Sequence, residues 1–263
     1  MASHPGTAKT IGGGVILTVV ALLAACSGAQ QSPTADGRPQ GALSVAAAAS
    51  LTSAFAAIET AFETVEPGVD VTISPGSSAT LAQQIIEGAP FDVFAPADET
   101  TMARVAATDA IDGDITIFAT NSLQIIVPRG NPAGIGSLSD LARPGVVFVT
   151  CATNVPIGAY TAESLRKAGV RVTPASLEPD VKGIVAKVTA GEADAGIVYA
   201  TDVIAARGAG EGIDIDARFN VVARYPIATI VDARNPRASA AWIAFVTGPR
   251  GREILTGYGF GPP

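Results

Sequence analysis

The sequence predicts an α/β protein whose parallel sheets are covered by helices on both faces. Two observations carry that expectation. Short apolar runs of strand length alternate along the chain with stretches of helical period, the pattern of β-α-β connections. The 263 residues are 48% hydrophobic and only 16% charged, with a mean hydropathy of +0.37, which excludes a disordered chain. That length accommodates one large or two small domains with real cores.

Each element has a local reason. Leu43–Ala48 is strand-like, and Leu51–Thr64 places Leu51, Phe55, Ile58 and Phe62 on one face of a helix. Val69–Ser74 (VDVTIS) is the next strand, and Pro75-Gly76-Ser77-Ser78 then turns the chain into a helix over Ala79–Glu87. Phe91–Ala95 reads as a buried strand and Thr100–Ala107 as a helix. Further strands are expected at Ser122–Val127, Val146–Thr150 and Gly196–Ala200, with helices at Ile157–Ala168 and Val181–Ala190. No internal repeat is visible.

The N-terminus belongs to targeting. Met1–Lys9 is polar with one cation, and the apolar run Ile11–Ala25 is too short to cross a bilayer as a stable helix, so residues 1–25 read as a secretory signal. Leu23-Ala24-Ala25-Cys26 resembles the bacterial lipobox, whose cysteine is diacylated and becomes the first residue after cleavage. An ordinary signal peptide that contains a cysteine is the alternative. Residues 26–41, rich in Ser, Gln, Gly and Pro, read as a lipidated flexible tether. The expected location is therefore outside the cytoplasm, anchored by lipid at Cys26 to the outer face of the cell membrane.

Processing narrows the chemistry. It removes Lys9 and His4, the only histidine, and leaves 16 basic and 24 acidic side chains, a net charge of −8. With Cys26 acylated, Cys151 is the remaining thiol and is expected to be a small buried apolar residue. A Ser-His-Asp triad, a Cys-His dyad and His- or Cys-based zinc and copper sites are ruled out. Carboxylate, Lys and Tyr chemistry remains. The acidic balance, with no Lys/Arg-rich run, argues against a nucleic-acid partner.

In an α/β fold, ligands sit beyond the carboxyl ends of strands, where helices begin. Several such junctions share a chemistry here. Ser50 follows VAAAA and opens the first helix, Ser77 and Ser78 precede the second, Pro156-Ile157-Gly158 opens a third, and Asp180-Val181 opens a fourth with Asp180 placed as N-cap. A helix start offers free N–H groups and the positive end of its dipole, which suits an anion. Taken singly, a Ser or Asp in such a position is usually just a cap.

Seven segments in order are similar to the molybdate-binding proteins, the substrate-binding components of molybdate ABC importers. They are Ala47-Ala48-Ala49-Ser50-Leu51-Thr52, Gly76–Ile85, Gly88–Asp98, Asn121-Ser122-Leu123, Val155-Pro156-Ile157-Gly158, Asp180-Val181-Lys182 with Gly191–Tyr199, and Gly257-Tyr258-Gly259-Phe260. The resemblance implies a two-lobed, type II periplasmic-binding-protein-like fold, each lobe a mixed, mostly parallel sheet flanked by helices, the lobes joined by two hinge strands. Lobe I would be 42–120 plus 224–263 and lobe II 121–223, with crossings near Ala119-Thr120-Asn121 and Arg224-Tyr225-Pro226. The positions matching the family's ligand-binding residues are Ser50 and Ser78 from one lobe and Ile157, Val181 and Tyr199 from the other. The hydroxyls of Ser50, Ser78 and Tyr199 would donate, the serines also through their amides, and Ile157 and Val181 through backbone N–H alone. The family often has alanine where Ile157 stands. The resemblance further implies a monomer without turnover or cofactor, delivering molybdate, and also tungstate, to an ABC permease and its ATPase. The metal would be held as the oxyanion, with no direct metal ligands.

The chemistry of the five positions agrees. Molybdate at neutral pH is a fully deprotonated dianion and accepts on every oxygen, so its site should consist of donors, and none of the five is a carboxylate. A protonated oxyanion such as phosphate would need an acceptor, and a buried unmatched polar group costs about 1 to 3 kcal/mol. Sulfate fits the same logic, so binding of sulfate, phosphate or another oxyanion remains an alternative. A secreted hydrolase built on Asp92 with Asp98, or Asp194 with Asp202, is a distant one, since caps and solvated loop ends explain those residues. An iron site would want tyrosines together, and Tyr160, Tyr199, Tyr225 and Tyr258 are isolated in sequence.

Overall fold

The computed structural model describes residues 37–263; the expected signal segment, Cys26 and most of the expected tether lie outside the described residues. The end of that tether is packed against the body. Asn235 Nδ2 donates to the Gln40 carbonyl at 2.8 Å, and Gly41 already opens the first strand.

The first half alternates as its periodicity requires. Strand β1 (Gly41–Ala48) leads through a 3-10 turn at Ala49–Leu51 into α1 (Thr52–Val65), whose Phe55, Ile58 and Phe62 are buried. Next come β2 (Val69–Gly76), α2 (Ser78–Ile86), β3 (Val93–Ala95), α3 (Glu99–Ala106) and β4 (Ile111–Asn121). Pro75 and Gly76 complete β2 instead of turning, because Ala47 and Ala48 of β1 pair with them.

The second half holds β5 (Leu123–Pro128), β6 (Phe148–Cys151), α4 (Pro156–Ala168), β7 (Ser176–Glu178), α5 (Val181–Thr189), β8 (Ala195–Tyr199), α6 (Ala200–Ala205) and β9 (Gly210–Asp214). The chain then returns through β10 (Ala223–Ile230) and closes with α7 (Pro236–Thr247) and α8 (Pro249–Gly257).

These strands form two five-stranded sheets, ordered β2-β1-β3-β10-β4 and β7-β6-β8-β5-β9. The two orders are one pattern used twice, with the strand entering from the other half inserted antiparallel between the third and fourth strands. Each sheet has two parallel pairings, β1 with β2 and β3, and β6 with β7 and β8. Each also has two antiparallel ones, made by β10 and by β5. Four strands of each sheet therefore share one direction and the inserted strand alone opposes them, the mixed, mostly parallel sheet that the resemblance implies. The reason is that β10 and β5 each arrive from the other half and run against the four strands of their sheet, whereas β4 and β9 follow α3 and α6 and keep the direction of β3 and β8.

The two passages between the sheets lie side by side. Asn121, Thr120 and Ala119 at the end of β4 pair with Ala223, Arg224 and Tyr225 at the start of β10, and Ser122 alone separates β4 from β5. The C-terminal segment adds to this crossing, with Thr120 and Gly261 exchanging N–H···O bonds at 3.0 and 2.9 Å. Behind the first sheet, Trp242 of α7 is fully buried, with its ring 5.7 Å from that of Phe55 and 5.3 Å from that of Phe62, both edge-on. Asp92 joins three segments, its carboxylate accepting from the amides of Ser44 at 2.7 Å and Asn235 at 3.1 Å.

Candidate functional site

The carboxyl ends of β1, β2 and β8 face one another across a cavity of about 20 Å³, on a scale where one water takes roughly 10 to 15 Å³. A compact ion suits that volume, and a sugar or peptide does not. From the first sheet's side the wall is Ala48, Ala49, Ser50, Gly76, Ser77, Ser78 and Ala97. From the second it is Val155, Pro156, Ile157, Asp180, Val181 and Tyr199. All five residues singled out in the sequence, Ser50, Ser78, Ile157, Val181 and Tyr199, thus line one cavity, each no more than 6% exposed.

Local structure makes this wall a set of donors. Ser78 and Ile157 lie in the first turns of α2 and α4, and neither helix receives a side-chain cap, so their leading N–H groups are uncommitted. At α5 the cap is Asp180, as its position in the sequence suggests, and it accepts from Gly183 N–H at 3.1 Å. The Val181 amide is not the one it takes. Three helix dipoles direct their positive ends at the cavity.

The hydroxyls follow the same rule. Ser78 Oγ accepts from the Ala97 amide at 3.0 Å; an amide can only donate, which leaves the serine proton for the cavity. Ser50 lies in the 3-10 turn ahead of α1, its Oγ 3.0 Å from Tyr225 Oη. Tyr199 Oη is buried with no hydrogen-bond partner among the described residues. Burial, with Tyr225 and Tyr160 nearby, raises its ionisation well above the ordinary tyrosine range, so it stays a neutral donor. Ser77, placed by the sequence with Ser78 ahead of the second helix but not among the five site residues, brings another buried hydroxyl without a partner among the described residues. Its unused capping position would have been the signal.

The acidic residues are otherwise engaged. Asp180 is the one carboxylate-bearing residue in the wall. Asp92 holds two amides, Asp98 caps α3 through Thr101 N–H at 2.9 Å, and Asp194 accepts from Val147 N–H at 2.8 Å. Asp202 is buried against Lys182 Nζ at 2.8 Å, with its carboxyl group pushed up by burial against the pull of that lysine; it is not a solvated loop end. None of these four lines the cavity, so no pair of carboxylates flanks it. The tyrosines do meet in space, with Tyr199 5.8 Å from Tyr225 and 6.5 Å from Tyr160 between ring centres. Only Tyr199 reaches the cavity wall. Cys151 is buried and free, its thiol pushed up to about 12 by desolvation.

Two sheets of one topology, meeting at a small cavity lined with donors from both, define a binding protein that encloses a compact solute between its halves. The chain belongs to the bacterial extracellular solute-binding protein family, which it matches over residues 43–261. It is 38% identical over 247 residues to the molybdate-binding protein ModA of Mycobacterium tuberculosis, covering 93% of this chain and 95% of that one. Among solved structures, the periplasmic molybdate-binding protein of Azotobacter vinelandii superposes with a TM-score of 0.73 at 20% identity, covering 84% of this chain and 99% of the other. The sulfate-binding protein SubI of M. tuberculosis does so with 0.76 at 20% identity, covering 85% and 87%. At that identity the two structures speak for the fold alone.

Gly158 makes the α4 side of the cavity possible. A Cβ there would stand 2.1 Å from the Ala152 carbonyl oxygen and 2.5 Å from that of Cys151. Gly158→Ala should push this loop off the start of α4 and lower stability by about 1 to 3 kcal/mol, the range for overpacking. A fall of several degrees in the thermal unfolding midpoint is the expected result; an unchanged midpoint would show that the loop moves freely.

Proposed function

We propose that this cavity holds molybdate, and by the same geometry tungstate, and that the protein delivers it to an ABC permease and its ATPase. The observation that carries the reading is the donor-only presentation of the five residues. Ser50, Ser78 and Tyr199 offer hydroxyls, Ile157 and Val181 offer amides, and the walls are too close for a larger solute. A tetrahedral dianion accepts from all of them, each bond strengthened by the ligand's charge. The ModA relative carries this chemistry in its name. Molybdenum here is cargo bound through its oxygens.

In this reading residues 42–120 with 224–263 and residues 121–223 act as two lobes hinged at the paired ends of β4 and β10. Contacts from both lobes favour the closed form in proportion to their preference for it, and that form is what the permease would recognise. The protein acts as a monomer held at the outer face of the membrane by lipid at Cys26. Sulfate is the second reading, because it too is fully deprotonated and the fold is shared with a sulfate-binding protein.

Thermal unfolding with molybdate, tungstate, sulfate and phosphate in turn separates these readings. A ligand at 100 times its dissociation constant adds about 2.7 kcal/mol, roughly 5 to 10 °C for a chain of this size. A shift with sulfate or phosphate and none with molybdate would overturn the proposal. Substitutions sharpen it by calorimetry. Ser78→Ala and Tyr199→Phe should each weaken molybdate binding by about 1 to 3 kcal/mol, whereas Ile157→Ala, which keeps the amide, should leave most of it. Tyr199→Phe also removes an unsatisfied buried hydroxyl, so the ligand-free protein should be no less stable than the wild type. Equal indifference of binding to all three would place the site elsewhere. For the anchor, Cys26→Ser should move the protein from the membrane fraction to the soluble one, and continued retention would count against lipidation there.

A further inference from the structure

Behind Ser50, outside the cavity, stands a chain of three side chains that nothing in the binding site itself requires. Tyr225 Oη lies 3.0 Å from Ser50 Oγ. Asn121 Nδ2 lies 3.5 Å from Tyr225 Oη and donates to Thr201 Oγ1 at 2.8 Å. Tyr225 is completely buried, Asn121 and Thr201 nearly so. The three come from different places, Asn121 from the end of β4, Tyr225 from its partner β10 and Thr201 from α6 of the other sheet. Tyr225 cannot swing aside, since the rings of Phe118, Tyr199 and Phe260 stand around it at 6.3, 5.8 and 5.4 Å.

The direction of these bonds is fixed by valence. An amide nitrogen can only donate, so Tyr225 Oη accepts from Asn121 and has its own proton to place. The one acceptor within reach is Ser50 Oγ. Burial raises the Tyr225 ionisation far above the ordinary range, so that proton is always present. Once Ser50 accepts from Tyr225, its own proton is left for the cavity. We propose that Asn121 and Tyr225 are positioning residues that hold Ser50 as an obligate donor, so that the site favours a fully deprotonated oxyanion over one carrying a proton. The Ala97 amide does the same for Ser78 on the same wall. With Tyr225 absent, the Ser50 hydroxyl rotates freely and can accept a proton from the ligand as readily as it donates one. This inference rests on the cavity being an oxyanion site.

A double-mutant cycle by calorimetry at pH 7 tests it, with molybdate and phosphate as the two probes and Tyr225→Phe made in both the wild-type and the Ser50→Ala background. Tyr225→Phe should weaken molybdate binding about tenfold in the presence of Ser50 and less than twofold without it. With Ser50 present it should also narrow the preference for molybdate over phosphate. Equal losses in both backgrounds, or none in either, would overturn the relay and leave Tyr225 a packing residue. Should Tyr225→Phe not fold, Asn121→Ala replaces it, with a several-fold loss that again vanishes in Ser50→Ala. Ser50→Ala alone reads out the underlying site: wild-type affinity for molybdate there would remove Ser50 from the oxyanion site, a different result from failure of the relay.

Discussion

Everything in this structure is arranged around buried donors that have no acceptor of their own. The leading amides of α2 and α4, the hydroxyl of Tyr199 and the protons left over on Ser50 and Ser78 all face one small space. Each unsatisfied buried group costs about 1 to 3 kcal/mol, so the arrangement persists only because the surrounding fold is strong enough to impose it. In the proposed reading a dianion relieves all of these costs together, without lysine or arginine in the wall.

Imposing that geometry falls to small residues and to rigid ones. The buried alanines 46–49 close β1 without bulk, letting the 3-10 turn bring Ser50 up to the cavity. Gly158 lets the Cys151–Ala152 carbonyls come against the start of α4, at a distance no other side chain permits. On the far side, aromatic rings stacked edge to face from Phe118 through Tyr225 to Tyr199 and Tyr160 link the two sheets behind the site. Polar contacts in the wall and apolar contacts behind it therefore involve the same residues, Tyr199 and Tyr225. Their hydroxyls stand at the cavity and at the β4–β10 crossing, and their rings serve the core.

Much of this was legible in the sequence because it is local. Strand runs such as Val69–Ser74 and the helical spacing of Phe55, Ile58 and Phe62 need no tertiary partner to be seen, and Asp180 announces its cap. The five cavity residues were reachable through the resemblance, since each sits at a junction whose chemistry alone also describes an ordinary helix start. What escaped was long-range. β4 carries exposed residues and a left-handed Gly113, and its pairing with β10 shifts register next to Pro226, so neither strand shows clean alternation. Pro226 is tolerated inside a strand because it falls at that shift. The shared topology of the two sheets left no repeat in the sequence, since pairing order is set by backbone and burial and not by particular side chains. Tyr225, isolated in sequence, gains its place only when β10 returns beside β4.

The acidity of the chain, net −7 before any processing, sets the last constraint. Its overall field opposes the approach of an anion, so attraction must come from groups within bonding distance. At physiological ionic strength charges are screened beyond about 8 Å, while hydrogen-bond donors act at about 3 Å, well inside that length, where screening is weak. A site made of fixed dipoles is also selective in a way that a lysine is not. A cation attracts any anion, whereas backbone amides, and a hydroxyl such as that of Ser78 whose acceptor side is already engaged, reward a ligand that accepts. The nearby carboxylates, Asp98 and Asp202, sit behind the wall bonded to Thr101 and Lys182; burial most of all, then Tyr225 and Tyr160, and last these two charges raise the ionisation of Tyr199.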